Sequence, residues 1–383
     1  MKIPFFEGEL IRKGALVFLA TLSASLIAFF ANLIISRALG PQSFGYFKTV
    51  VYLFAFLPAI IDFGINSTLT KYAAELGKNR IKNLVKWLLK IKILSYVFLI
   101  AAIFILKDYL ALYFLKDVSL SYLIIAGIFF AALSFFSTFS FIILGLQNFK
   151  LFSLSNFLSS SLQAIFALLL IPLGIYYMIL GWGLGLLIGN IPNVFFLLKG
   201  NLKDKEKVDV KKIFFKFSLP IYPIELTTSL INAIIPLLSL FFSQILIGYY
   251  SFAFMFYWAA QLIPSSLSIV LFPKISELNG LKKYGHARNI LKKSFLYYSL
   301  VVIAGLVFVF LLSEWFINTV AKDYLPCLFV FKTIVSLGFL FGYNVIYVNY
   351  LKGLGKIKRF AFFVLLQNIL LIAVSFALLS SIK

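Results

Sequence analysis

A carboxylate in the middle of a long apolar run is the first residue here that could do chemistry. Glu225 stands in LPIYPIELTTSLINAIIP, between Pro223 and Pro236. An ionisable side chain inside a membrane-length stretch is costly and points to ion or proton handling. The flanking prolines remove amide donors and leave carbonyls free where a cavity can form. Glu225 is therefore the first ion-coupling candidate, with an interfacial, hydrogen-bonded Glu as the plainer reading. Asp62, at the end of another apolar run, is the second; capping, or loop pairing with Lys71, competes for it. Arg37 and Lys48 flank the turn RALGPQSFGYF, and Lys332 lies early in a later run. These three are candidates for a cationic cavity, since Arg holds phosphate through a planar fork and Lys as a point charge. Snorkelling toward headgroups accounts for them equally well.

Other familiar chemistry is missing. His286 sits alone in a basic stretch, and Cys327 is the single cysteine. The letters DFG at 62–64 lack the lysine strand, catalytic loop and glycine-rich loop of a kinase, and no Walker sequence is present. GWGLGLLIG (181–189) lies inside an apolar run, where close helix packing outweighs phosphate cradling. Asn66, Asn190, Asn193, Gln261, Asn344 and Gln367 are neutral groups suited to interhelical hydrogen bonds or to a sugar-lined path. The sequence predicts no enzyme, no cofactor and no metal.

The elements that must position these residues follow from composition. The chain has 383 residues, 62% hydrophobic and 13% charged, against about 45–50% and about 25% in soluble proteins. Lipid has to be its solvent. The formal net charge of +22 could suggest nucleic acid. The basic residues, however, sit in short loops between apolar runs, so topology and anionic headgroups explain them and nucleic acid is not a partner. The amino terminus reads as a first transmembrane helix rather than a cleavable signal.

Eleven spans are predicted: 14–36, 46–65, 93–106, 118–144, 153–171, 176–198, 217–242, 247–272, 294–316, 326–350 and 360–380. With the amino terminus in the cytoplasm, 28 of the 35 basic residues fall on the inner side, which sets the orientation. The basic stretches 78–92 and 282–293 read as surface-lying amphipathic helices. The polar segment KGNLKDKEKVDVKK is the natural boundary, giving an amino-terminal bundle 1–198, a linker 199–216 and a carboxyl-terminal bundle 217–383.

An internal repeat supports two related halves. Gly45 and Gly248, Tyr46 and Tyr249, Lys71 and Lys274, Gly77 and Gly280, Leu88 and Leu291, and Lys90 and Lys293 pair at one offset of 203. LGLQNFKLF matches KGLGKIKRF at offset 208. Six spans return the chain to its starting side, so the halves are parallel, related by an axis along the membrane normal. The expected fold is an all-α polytopic membrane protein of two parallel-related six-helix bundles. The repeat calls for a twelfth helix, so the second bundle is expected to lack its last helix.

At Arg12-Lys13-Gly14, at RALGPQSFGYF (Arg37, Leu39, Gly40, Pro41, Phe44, Gly45), and at DFGI with KYAAELG, the chain resembles the polysaccharide biosynthesis flippases. These form the polysaccharide-transporter branch of the multidrug/oligosaccharidyl-lipid/polysaccharide exporter superfamily. The resemblance implies a MATE-like fold around a central cavity in the cell (inner or plasma) membrane. It also implies a polyprenyl-pyrophosphate-linked oligosaccharide as substrate, moved from inner to outer leaflet by alternating access. Implied partners are that substrate, anionic lipids and other glycan-assembly membrane proteins. Competing readings are a cation-coupled multidrug antiporter of the same superfamily, which needs buried acids, and a non-transport scaffold, which needs exposed domains. A membrane glycosyltransferase would need paired loop carboxylates.

Overall fold

The computed structural model describes residues 9–203 and 208–382, and every regular element among them is helical. The first, α1 (Glu9–Ile60), has 52 residues and is interrupted at Gly40, with φ 69° and ψ 172°. Its membrane-length portion, Val17–Ile60, has 44 residues. At about 1.5 Å per residue that is about 66 Å, roughly twice the hydrocarbon thickness, so α1 has to supply two crossings. Leu39-Gly40-Pro41 divides them: the residue before proline is steered away from the helical region, and glycine alone tolerates the positive φ. The expected turn is thus reduced to one residue, and the spans extend to Leu39 and from Pro41. Among the described residues, nine further membrane-length helices lie between Lys82 and Ser380, so the chain is a multi-pass membrane protein with about eleven crossings.

The chain forms two compact units: residues up to 34 with 50–229, and residues 35–49 with 230–383. The expected boundary at 199–216 lies inside the first unit. The physical reason is visible in the packing. Leu202 is buried in a core with Ile65, Leu69, Ala73, Leu84, Leu88 and Ile142, and Lys203 N–H donates to the Lys78 carbonyl at 2.7 Å. Val210, Ile213 and Phe214 pack against the same core, so the polar segment is joined to the first unit both before and after residues 204–207.

In the first unit, α2 (Ile65–Leu76) starts after Gly64 (φ 71°) and stops at Gly77 (φ 62°). It buries Ile65, Leu69 and Ala73 at helical spacing. Next, α3 (Lys82–Ile105) is one uninterrupted helix. The predicted surface-lying helix 78–92 is therefore corrected: from Lys82 onward it is the opening of the span itself. No Gly or Pro occurs between Lys82 and Ile105 to separate them. The predicted surface-lying helix 282–293 is corrected in the same way: α10 (Tyr284–Val307) is one helix that absorbs most of that basic stretch. Between them in sequence come α4 (Ser121–Ser134), α5 (Thr138–Gly145), α6 (Phe149–Leu170), α7 (Ile175–Phe196), α8 (Leu219–Ser229) and α9 (Gln244–Gly280). Later follow α11 (Leu328–Gly353) and α12 (Ile357–Ser380).

The glycine run 181–189 does pack helices. A Cβ on Gly185 would strike the backbone of Gln163, and one on Gly189 the backbone of Ser159, so α6 and α7 meet almost backbone to backbone. Beside that seam, Ser140 donates to Asn190 at 2.8 Å, Ser155 to Asn193 at 2.9 Å, and Asn193 to Ser140 at 2.9 Å. All four are buried, and their mutual bonds remove the cost of holding amides and hydroxyls away from water.

In the second unit the repeat becomes physical contact. A Cβ on Gly45 would overlap the Gln244 carbonyl oxygen, and one on Gly248 would overlap the Pro41 carbonyl oxygen. Position 41 corresponds to 244, as 45 does to 248, at the same offset of 203. The crossing is reciprocal: each repeat offers its glycine to the backbone of the other. Thr49 adds a hydrogen bond to Gln244 at 3.2 Å.

Candidate functional site

Within the first unit a cavity of about 450 Å³ is lined by Asp62, Asn66, Ser67, Lys92, Tyr96 and Glu225, with the hydroxyls of Ser134, Ser137, Thr228 and Ser229 and the ring of Phe141. Local chain geometry brings these groups together. Asp62 sits in the turn after α1, and its Oδ2 accepts the Asn66 N–H at 3.3 Å, in the first turn of α2, where the helix dipole favours a carboxylate. The turn is pinned from α8 and the residue before it. Ser218 Oγ donates to the Phe63 carbonyl at 2.8 Å, and Tyr222 OH to the Ile60 carbonyl at 2.5 Å. Gly64 is required there, because a Cβ would run into the Ser218 carbonyl.

From α3, Lys92 Nζ donates to Asp62 Oδ1 at 2.6 Å and to Asn66 Oδ1 at 2.7 Å. Lys92 is 2% exposed and Asp62 8%, so the ion pair is desolvated and held by charge-assisted bonds. From α8, Glu225 accepts a hydrogen bond from Ser67 and lines the same cavity as Lys92. Pro223 precedes it within the helix. The hydroxyls of Thr228 and Ser229 donate to the Glu225 carbonyl at 2.7 and 3.0 Å. They also stand on the cavity wall. One turn beyond Lys92, the Tyr96 hydroxyl lies 3.4 Å from Ser134 Oγ.

The charged groups on the wall are two carboxylates and one ammonium, a formal balance of −1 when all are ionised. Such a site can hold a cation or proton on the acidic pair. It can also present Lys92 to an anion that displaces Asp62.

Asp62 and Glu225 thus share one cavity. The expected pairing of Asp62 with Lys71 is corrected: Lys71 lies 3.8 Å from Glu75 and 3.9 Å from the centre of the Phe217 ring, while Asp62 takes Lys92. Arg37, Lys48 and Lys332 belong to the second unit and are not on this wall. Arg37 is exposed and Lys332 half-buried on α11. Lys48 is buried, with Nζ 5.2 and 5.4 Å from the Phe44 and Phe47 ring centres. Of the neutral residues noted in the sequence, Asn66 lines the cavity; Gln261 donates to the Gly338 carbonyl at 2.6 Å and Asn344 to Gln367 at 2.5 Å. Among the described residues no group of side chains has a metal-binding arrangement.

Lys92 is the charged cavity residue absent from the sequence candidates, because it closes a basic stretch. A signal for it exists: Ile81, Leu84, Val85, Leu88, Lys92 and Tyr96 recur every three or four residues and are all buried. Lys92 occupies the apolar stripe, whereas Lys86 and Lys90 face outward.

Residues 10–279 match the family model for polysaccharide biosynthesis proteins. The chain belongs to that family. No curated protein sequence matches it. Among solved structures, this family member is similar to the inward-facing conformation of a multidrug resistance MATE transporter of the MOP superfamily. There the TM-score is 0.71 and identity 13%, covering 94% of this chain and 95% of that one. It is also similar to the lipid II flippase MurJ in an inward closed conformation, with TM-score 0.69, 14% identity, and coverage of 95% and 86%. An outward-facing MATE structure matches at 0.57 and 13% identity, covering 97% and 96%. The fold is that of the membrane transporters of this superfamily.

Proposed function

We propose that this polysaccharide biosynthesis family member is a flippase that carries a polyprenyl-pyrophosphate-linked oligosaccharide from the inner to the outer leaflet of the cell membrane by alternating access. The observation that carries the reading is the Asp62–Lys92–Asn66 arrangement in a hydroxyl-lined cavity of a member of this family. Lys92 is a buried ammonium presented by two oxygens. A pyrophosphate offers more negative charge than Asp62 and can take over those bonds, while the surrounding hydroxyls suit a polar headgroup. Glu225 is the proton carrier in this scheme. Ionised, it keeps the wall net negative and repels the headgroup; protonated, it leaves the wall neutral and admits it. Arg37 is proposed as a further contact on the substrate's path.

The test is a proteoliposome assay with a fluorescent polyprenyl-pyrophosphate oligosaccharide and an impermeant quencher, with and without a proton gradient. Protein-dependent loss of leaflet protection is expected. Glu225→Gln should retain movement but lose its response to the gradient, and an unchanged response removes Glu225 from coupling. Arg37→Ala should slow movement while leaving membrane insertion intact; an unchanged rate assigns Arg37 to headgroup snorkelling.

One observation favours the cation-coupled antiporter as a second reading: the wall carries more acid than base. Gradient-driven uptake of an organic cation by the same proteoliposomes, without lipid movement, would decide for it.

A further inference from the structure

A second cavity, of about 340 Å³, lies at one end of the first unit, formed by Tyr122 and Ile125 of α4 and by residues 173–177 at the start of α7. Three of its seven lining residues are tyrosines, and the other four are aliphatic or glycine. The Tyr122 and Tyr176 rings are 5.9 Å apart at 64°, and the Tyr176 and Tyr177 rings 5.2 Å apart at 86°. Edge-to-face contacts fix the rings against one another while Tyr122 and Tyr177 remain 43% and 48% exposed. Gly174 (φ 101°) turns the chain into α7 beside these rings, with open space where a Cβ would stand.

No lining residue is charged. That argues against an ionic ligand, and the phenol hydroxyls argue against a purely hydrocarbon one. A neutral pyranose matches both features: its C–H face stacks on an electron-rich ring and its hydroxyls meet phenols at the edge. The volume lies in the range of small-molecule sites and exceeds the needs of one sugar ring. Nearby Tyr109 and Tyr113 are 64% and 62% exposed, as interfacial belt residues are, and they are not on this wall. The adjoining segment 106–120 carries Lys107, Asp108, Lys116 and Asp117, which cancel, and the distribution of Lys and Arg assigns this end to the outer face.

We propose that the Tyr122–Tyr176–Tyr177 cavity is a glycan subsite that takes a neutral pyranose at the outer face of the membrane. It is separate from the Asp62–Lys92–Glu225 cavity, rests on the flippase reading only for the glycan's origin, and can be tested without translocation.

The experiment is saturation-transfer NMR on the full chain in nanodiscs, with the methyl glycosides of glucose, N-acetylglucosamine and rhamnose as probes. Transfer to ring C–H protons of at least one glycoside is expected. Tyr122→Leu and Tyr176→Leu should weaken binding about fivefold, equivalent to a ring contact of about 1 kcal/mol; Tyr109→Leu, off this wall, should leave it near wild type. Thermal unfolding identifies any variant that fails to fold, and Tyr177→Leu then serves in its place. Transfer to none of the three glycosides, or equal transfer in the leucine variants, overturns the subsite and leaves the rings to lipid headgroups. Lipid movement in the quencher assay is a separate readout, so losing the subsite and losing the flippase are distinguishable.

Discussion

Gly248→Ala should destabilise the folded protein by about 3 kcal/mol or more, the upper end of the cost of overpacking. The added methyl would overlap the Pro41 carbonyl oxygen, and a backbone atom cannot rotate away as a flexible side chain can. Gly45→Ala meets the Gln244 carbonyl in the same manner and should cost a similar amount. The two segments must then separate, weakening the Thr49–Gln244 bond. Gly285→Ala is the control: it lies in α10 with open space around it, and alanine there should be neutral or stabilising by about 0.5–1 kcal/mol. Thermal unfolding in detergent reads all three. Wild-type stability for Gly45→Ala and Gly248→Ala would show that the reciprocal crossing is not a tight contact.

Lys92→Met should be the most damaging change in the first unit. It leaves Asp62 buried without its ammonium, and removing one member of a buried pair costs about 3–5 kcal/mol. Asp62→Asn combined with Lys92→Met removes both charges and should recover much of that loss, because an uncompensated charge, rather than a missing attraction, is the main penalty. The double variant also separates folding from function. If Lys92 meets the headgroup, the double variant folds but moves no lipid. A double variant that flips at the wild-type rate would make Asp62–Lys92 a structural pair only, and would sink the role proposed for Lys92. If the separate losses of Asp62→Asn and Lys92→Met simply add in the double variant, that would argue against the pair itself.

Helix and membrane character were legible because hydropathy is set residue by residue by the solvent. The apolar runs, the Gly40-Pro41 break and the repeat at offset 203 required no knowledge of packing. Asp62 and Glu225 were legible as candidates for the same reason, since a carboxylate in an apolar run stands out by itself. Lys92 was not, because it follows a chain of exposed lysines. The apolar spacing of Leu84, Val85 and Leu88 hinted at its face, and the rotation of α3 that buries them turns its ammonium away from solvent. The expected partner of Asp62 failed on the same ground: Lys71 is near in sequence, but it lies on the exposed face of α2.

By itself, then, the sequence determined a multi-pass helical membrane protein of this family, with two related halves and acids out of place in lipid. Tertiary structure alone decided that 35–49 belongs with 230–383, that Gly45 and Gly248 meet reciprocally, and that Asp62, Lys92 and Glu225 face one cavity. Those facts depend on which helix faces rotate toward one another across separations of 30 to 203 positions. Interhelical packing and desolvation select that rotation, and no local propensity encodes it.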